Sequence, residues 1–420
     1  MGSNPTGPTL SGTVIFNFRM DAEFVESGWR ERLSSAASRL ESSPVEMAYR
    51  LVRASDTRLI NMASGNPDPE IVPVKELAEI TQEVMGALGY ESLIYPDAGG
   101  LEDLRKEIRL YMGREGISLP KDYELSITSG AQHAFKLMSE LLAGDGVSVV
   151  CESPTFVETL APLKLRSRVY GIPFESGRLN FDLMERTLRE LGPGRAIVYL
   201  IPTCHNPTGI TMSEDDRRRV LELASRHDAV IIEDEPYRAF SDAQPPALVS
   251  LDDESRVIYV GTLSKVLAPG LRIGWIAAPR EIAEAVSMLE NYDITTSTLT
   301  QHVALESFRH GLVDTMSSIL RSHYLTKRRV LEESLSDSMP PNVSWEPNGC
   351  GLFQLIVASG FDAERRLIDA IRRGVIYVPA RRFFVPEGDA GSIRLSLGPP
   401  TRDEIVEGVR VLAGLISEYS

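Results

Sequence analysis

This chain predicts an α/β architecture: one large, mostly parallel sheet flanked by helices, followed by a smaller α+β unit. Three observations predict it. Short Val/Ile-rich runs without polar alternation recur between Tyr123 and Ala277, as in strands buried on both faces. Amphipathic helical windows separate these runs, which is the alternation of a parallel sheet. After Asp293 the pattern changes to one long helical stretch and then scattered short strands.

Taken in order, Met1 to Gly12 is polar and rich in Gly, Pro, Ser and Thr, without the charged start and apolar stretch of a signal peptide. Residues 1–21 are expected to form a disordered tail. Residues 22–72 are expected to form a helical segment and a loop that pack with the smaller domain. Within them the pattern is helical from Ala22 to Arg53, and Ser43-Pro44 reads as a helix start, with Ser as the cap and Pro in the first turn. Gly65-Asn66-Pro67-Asp68-Pro69 marks a loop from Asn61 to Pro73. Residues 73–299 form the expected large domain. Its strands fall at Tyr123–Thr128, Ser148–Glu152, Arg168–Ile172, Ala196–Ile201, Ala229–Ile232, Arg256–Val260 and Ile273–Ala277. Residues 300–420 form the expected small domain. It has a helical stretch from Thr300 to Ser336, strands at Gly351–Val357, Gly374–Val378 and Ser392–Leu397, and a last amphipathic helix from Arg402.

Composition narrows the function classes. The 420 residues are 43% hydrophobic and 25% charged, with a formal net charge of -15. That is ordinary for a soluble globular protein, and the charge argues against nucleic-acid surfaces and anionic membranes. No apolar run reaches the roughly 18 residues of a membrane span, and the expected location is cytoplasmic. Cys151, Cys204 and Cys350 are the only cysteines. So sparse and odd a set fits a reducing compartment better than a disulfide framework. No cysteine pair has metal-site spacing and the histidines are scattered, so no structural metal is expected. No Gly-x-Gly-x-x-Gly follows a strand, which sets aside a nicotinamide-linked dehydrogenase.

Ligand sites in open α/β sheets lie beyond the carboxyl ends of the strands. There the string Thr262-Leu263-Ser264-Lys265-Val266-Leu267-Ala268-Pro269-Gly270-Leu271-Arg272-Ile273-Gly274 sets a lysine beside two hydroxyls, with an arginine further along. A lysine that forms a Schiff base needs an aldehyde partner held by its phosphate, and Thr262, Ser264 and Arg272 offer donors for one. Alone, the lysine also reads as a surface residue in a Gly/Pro turn. Thr128-Ser129-Gly130-Ala131-Gln132 follows a strand and opens a helix, whose first N–H groups form an anion site or an ordinary cap. Glu152-Ser153-Pro154-Thr155-Phe156, Cys204-His205-Asn206-Pro207-Thr208-Gly209 and Glu233-Asp234-Glu235-Pro236-Tyr237 each follow a strand. Arg394 sits in the small apolar strand Ile393–Leu397, where a guanidinium is costly unless paired. A ligand carboxylate or a structural salt bridge would each meet that need.

Together and in this order, the motifs resemble those of fold-type I pyridoxal-5'-phosphate (PLP) enzymes, the class I/II aminotransferases. The resemblance runs from about Ser34 to the C-terminus and is strongest to the kynurenine/2-aminoadipate aminotransferase subgroup. It implies that residues 73–299 bind PLP and that Lys265 holds it as a Schiff base. Gly130, Ala131 and Gln132 would cradle the phosphate with Thr262, Ser264 and Arg272. Phe156 would stack on the ring, and Asn206 and Tyr237 would share the phenolic oxygen. Asp234 would keep the pyridine nitrogen protonated, which makes the ring a better electron sink. Tyr95 would reach the phosphate of a neighbouring subunit, which implies a homodimer. Arg394 would grip the substrate α-carboxylate in a planar fork, close to Asn206 and to the backbone at Gly65. The implied reaction moves an amino group from an L-amino acid with an aromatic, neutral or aminoadipate-like side chain to a 2-oxo acid such as 2-oxoglutarate.

Some residues depart from the pattern. Glu46 stands where the subgroup often carries an arginine for acidic substrate side chains. Either the pocket's charge preference is reversed or Glu46 faces solvent. Leu355 stands where a tryptophan is usual, Arg381 and Arg382 either recognise an anion or face water, and His205 reads as a neutral surface or supporting residue. Glu233 and Glu235 read as a solvated acidic flank. Two other functions share these motifs. One is a PLP-dependent β-lyase or other amino-acid-modifying enzyme. The other is a non-enzymatic sensor domain, as in some transcription regulators, against which the net charge of -15 counts.

Overall fold

Buried valine and isoleucine runs build the main sheet, and the glycines between helices and strands decide where the chain turns. The computed structural model describes residues 32, 34, 42–55, 58–241, 245–293, 295–347 and 349–419. The expected tail and most of the first helical segment lie outside these residues. In chain order the strands are β1 Ile60–Asn61, β2 Tyr123–Thr128, β3 Ser148–Ser153, β4 Arg168–Glu175, β5 Arg178–Leu179, β6 Ala196–Leu200, β7 Val230–Asp234, β8 Val257–Thr262, β9 Gly274–Pro279, β10 Val343–Ser344, β11 Phe353–Ala358, β12 Val375–Ile376, β13 Val378–Pro379 and β14 Ser392–Ser396.

The large sheet has the order β2-β9-β8-β7-β6-β3-β4-β5. Its centre, β8-β7-β6-β3-β4, is parallel. β9 runs antiparallel to both β8 and β2, and β5 is antiparallel to β4. The sheet is therefore mixed, with a parallel core. Strands β3, β6 and β8 are buried at every position. Helices cover both faces, as such strands require.

A second sheet, β10-β11-β14-β13, is wholly antiparallel and carries Arg394 on β14. The expected strand Gly374–Val378 divides in two because it changes partners. β12 pairs in parallel with β1, while β13 joins β14. Residues 60–61 are thereby tied to the C-terminal part of the chain. The expected helix Thr300–Ser336 is also two helices, Thr298–Arg309 and Leu312–Ser338. The break falls at Gly311, whose φ of 69° lies in the left-handed region that glycine adopts without strain. The start at Ser43 is as expected: its hydroxyl accepts from the Val45 and Glu46 N–H groups and caps helix Pro44–Ala54.

One expectation is corrected. Cys204 and Cys350 are joined in a disulfide, with Cα atoms 5.0 Å apart across a sequence separation of 146. That separation hid the pair from the sequence, and only Cys151 is free. No helix among the described residues is long and apolar enough to cross a membrane.

Candidate active site

Because β9 is antiparallel to both neighbours, β2 and β8 run the same way as β7, β6 and β3. All five carboxyl ends therefore share one end of the sheet, and the loops that follow them meet there. A cavity of about 310 Å³ opens at this end. Ala131 and Gln132 line it after β2, Phe156 after β3 and Asn206 after β6. Asp234 and Tyr237 line it from the end of β7, and Thr262, Ser264, Lys265 and Arg272 from the β8–β9 connection. Arg394, Gly65 and Glu46 complete the wall from parts of the chain remote in sequence. Of the residues expected at a site, Gly130 lies just behind the wall and Tyr95 is apart, on the surface.

The lysine and the carboxylate in the cavity are both electrostatically displaced. Lys265 Nζ donates to the Gly65 carbonyl at 2.7 Å. Burial pulls its pKa down from 10.5 to about 8, and the nearby charges of Arg394 and Arg272 pull the same way. An amine at that value is about one-tenth neutral at pH 7, a few hundred-fold more than an ordinary lysine, and so offers a usable nucleophile and base. Burial raises the Asp234 carboxyl from 3.8 to about 8, with Glu235 and Glu152 adding to the rise and Tyr199 and Lys265 opposing it. Tyr199 donates its hydroxyl to Oδ2 at 2.8 Å. Oδ1 is buried without a hydrogen-bond partner.

Arg394 is 1% exposed and has no carboxylate partner among the described residues. Its Nη2 donates to the Ala63 carbonyl at 2.8 Å and its Nη1 to Asn206 Oδ1 at 3.4 Å. Nε is buried and unpartnered. The guanidinium lies over the Phe353 and Phe383 rings at 4.3 and 5.3 Å. Burial lowers its pKa to about 10, so it remains a cation. The structural salt bridge is thus absent, and a buried cation of this kind calls for an anion. Asn206 Nδ2 donates to the Tyr237 hydroxyl at 3.3 Å, linking these two beside Arg394.

The cavity reaches the start of helix Ala131–Leu142. Its first N–H groups have no side-chain cap, since Gly130 stands at the N-cap with φ 80°. Arg272, held with φ 54°, donates to the Ser129 carbonyl at 2.9 Å. A Cβ on Gly130 would lie 2.3 Å from Arg272 Nη2, so only glycine permits this approach. The Thr262 hydroxyl donates to the Ile273 carbonyl at 2.9 Å and lies 2.9 Å from the Ser264 hydroxyl.

Other expectations need correction. Glu233 and Glu235 are buried, not solvated. Alternation along β7 turns Asp234 to the cavity and its two neighbours to the opposite face. There Arg217 lies 3.6 Å from Glu233 and 3.5 Å from Glu235. The Leu248 and Val249 N–H groups also donate to Glu233. His205 is buried, with Nδ1 2.8 Å from Thr208 Oγ1 and Nε2 3.3 Å from Glu152. Arg381 and Arg382 do not line the cavity: they lie 3.1 Å from Glu387 and 3.6 Å from Glu364. Leu355 does not line it either, whereas Phe353 does. Tyr49, Thr159 and Glu158 also line the cavity and were missed. Glu158 follows Phe156 by two residues, a proximity that could have singled it out.

These donors fit pyridoxal 5'-phosphate. The free Asp234 Oδ1 suits a protonated ring nitrogen, the uncapped helix end suits a phosphate, and the Lys265 amine lines the same cavity as Asp234 and Arg394. The fold and site thus define a PLP-dependent enzyme of fold type I.

The chain belongs to the aminotransferase class I and II family, which matches residues 57–412. It is 34% identical to aromatic-amino-acid aminotransferase 1 of Thermococcus litoralis, over 93% of this chain and 95% of that protein. It is 28% identical to the 2-aminoadipate transaminase of Thermus thermophilus, over 91% of this chain and 96% of that one. The crystal structure of Pyrococcus horikoshii kynurenine aminotransferase, solved with pyridoxamine phosphate and kynurenine, is 32% identical and matches with a TM-score of 0.85. That match covers 93% of this chain and 98% of the other. The protein is an enzyme that uses PLP to transfer amino groups.

Proposed function

We propose that amino transfer runs between an L-amino acid and a 2-oxo acid in this one cavity, with Lys265 as the acid/base and Arg394 as the α-carboxylate anchor. The observation that carries this reading is the buried Arg394, in no close ion pair among the described residues, in the same cavity as the Lys265 amine. When bound, PLP supplies an electrophilic aldehyde and an electron-withdrawing ring. Lys265 Nζ is the group that would hold the cofactor's aldehyde end, and as a free amine it would serve as the base and acid that moves the donor's α-proton. Asp234 Oδ1 would accept from the ring nitrogen, a cation beside it that would lower its raised proton affinity. Asn206 and Tyr237 would hold the phenolic oxygen, and Phe156 would stack on the ring. Gly130, Ala131, Gln132, Thr262, Ser264 and Arg272 would hold the phosphate. Arg394 orients the donor so that its α-hydrogen faces Lys265, and proton transfer of this kind contributes roughly 10²–10⁴-fold.

The active unit in this reading is a homodimer. Val74, Met85, Tyr90, Leu93 and Tyr95 form a largely exposed apolar stretch, with Tyr95 itself 80% exposed. A second copy would cover it and receive Tyr95 at its phosphate site. Sedimentation of the purified protein tests the dimer.

The chemistry is tested by the visible spectrum of the PLP-loaded protein during addition of single amino acids without an oxo acid. A yellow band that bleaches, with release of a 2-oxo acid, is expected, and Lys265→Ala should abolish it. Release of ammonia and pyruvate without bleaching would overturn the reading in favour of a lyase.

A further inference from the structure

Six lysine, arginine, aspartate and glutamate side chains line the cavity: Lys265, Arg272, Arg394, Asp234, Glu46 and Glu158. The function proposed above, on which this inference rests, engages the first four with PLP and the donor's α-carboxylate. The charges left to face the donor's side chain are two carboxylates and no cation. Glu158 lies in the first turn of helix Val157–Lys164, just past Phe156. Ser43, the cap of helix Pro44–Ala54, donates its hydroxyl to Glu158 Oε1. The same hydroxyl accepts from the Glu46 N–H at 3.2 Å. One cap residue thus ties the two acids to the same wall.

The two acids are not equivalent. Glu46 is half-exposed and pairs with Arg50 at 3.0 Å. Glu158 is only partly exposed and forms no close ion pair among the described residues; the one cation whose charge it feels in the cavity is Arg394, which the proposed function commits to the donor's α-carboxylate. Its Oε2 is without a hydrogen-bond partner there. Arg381 and Arg382, from a different part of the chain, are paired with Glu387 and Glu364 outside the cavity.

We infer that Glu158, with Glu46 in support, sets the side-chain specificity: the cavity takes donors whose side chains end in a cation or an N–H group and rejects side-chain carboxylates. A carboxylate brought beside Glu158 would be an uncompensated like charge in a partly dehydrated site, which interfaces use to exclude wrong partners. The acceptor's side chain occupies the same space in the return half-reaction. Monocarboxylic 2-oxo acids therefore outrank dicarboxylic ones such as 2-oxoglutarate.

The test uses the PLP-loaded enzyme with ornithine, glutamine and glutamate, which are similar in length and differ in side-chain charge. The midpoint of the absorbance change and the single-turnover rate are read for each. In the wild type glutamate should fall below glutamine by roughly 10- to 100-fold, the size of one close like-charge contact in a partly wet site. Ornithine should equal or exceed glutamine. Glu158→Gln should raise the glutamate-to-glutamine ratio about 10-fold or more and lower the ornithine-to-glutamine ratio, with Glu46→Gln acting in the same direction but less. The wild-type ranking alone decides the matter if a variant fails to fold: glutamate reacting as well as glutamine overturns the inference. An unchanged ratio in a folded Glu158→Gln also overturns it. If amino acids react without ranking by charge, only this inference falls. If no amino acid alters the spectrum, it falls together with the proposed function.

Discussion

Asp234 offers the sharpest test of the site's electrostatics, through replacement by asparagine. In the PLP-free protein the folded carboxyl keeps its proton up to about pH 8, while the unfolded one releases it near 3.8. Between those values the folded state binds more protons, so stability is fully present below the lower value and is lost as pH rises through the upper one. At about 1.4 kcal/mol per pH unit the loss has a ceiling of about 5 kcal/mol at pH 7.5. Asparagine keeps the shape and can still accept from Tyr199, but carries no charge. The PLP-free variant should therefore melt roughly 2–6 °C higher than wild type at pH 8 and differ by about a third as much at pH 5. PLP binding should move the other way. Loss of the charged bond to the ring nitrogen should weaken affinity by about 10- to 100-fold. Thermal melts of both PLP-free proteins from pH 5 to 9, with a spectral titration of PLP, supply the measurements. A variant that keeps the wild-type pH slope would show that Asp234 is not the titrating group. Unchanged PLP affinity would show that Oδ1 does not face the cofactor.

Three further outcomes follow from other parts of the cavity. Arg394→Ala should lower kcat/KM for amino-acid donors by roughly 10²–10³-fold, since it strands a buried carboxylate without its cation, while PLP affinity changes little; steady-state kinetics beside PLP titration check this. Gly130→Ala places a methyl group 2.3 Å from Arg272 Nη2 at a φ of 80°. It should displace the arginine and weaken PLP at least about 10-fold, by the loss of a charged phosphate contact. The rate at which the PLP-free protein captures PLP should rise with pH and level off above about 8, because burial makes Lys265 lose its proton there. A stopped-flow pH profile that levels only near 10 would refute that assignment of the amine.

The motifs were legible because each is a short continuous string at the end of a strand. Buried Val/Ile runs located β2, β3, β6, β7 and β8 to within a residue or two, and chain order then put Gly130–Gln132, Phe156, Asn206, Asp234 and Lys265 at one end of the sheet. Burial of Glu233 and Glu235 was not legible. Two acids beside Asp234 look solvated until Arg217, on a distant helix, is seen opposite them. Glu158 was passed over for the same reason. Its meaning depends on Ser43, 115 residues earlier. Likewise Arg394 was left between a salt bridge and a ligand until its close contacts, two rings, a backbone carbonyl and Asn206, proved to include no ion pair.

By itself the sequence determined the class of fold and the PLP chemistry and singled out Lys265 as the candidate lysine, because strand burial and loop motifs are local properties of the chain. Only the tertiary structure decided which charges in the cavity are compensated and which remain free. Lys265 meets Gly65 across 200 residues and Arg394 meets Asn206 across 188. Such contacts are set by the packing of the whole chain, and burial there, rather than residue type, moves Asp234 and Lys265 to about 8.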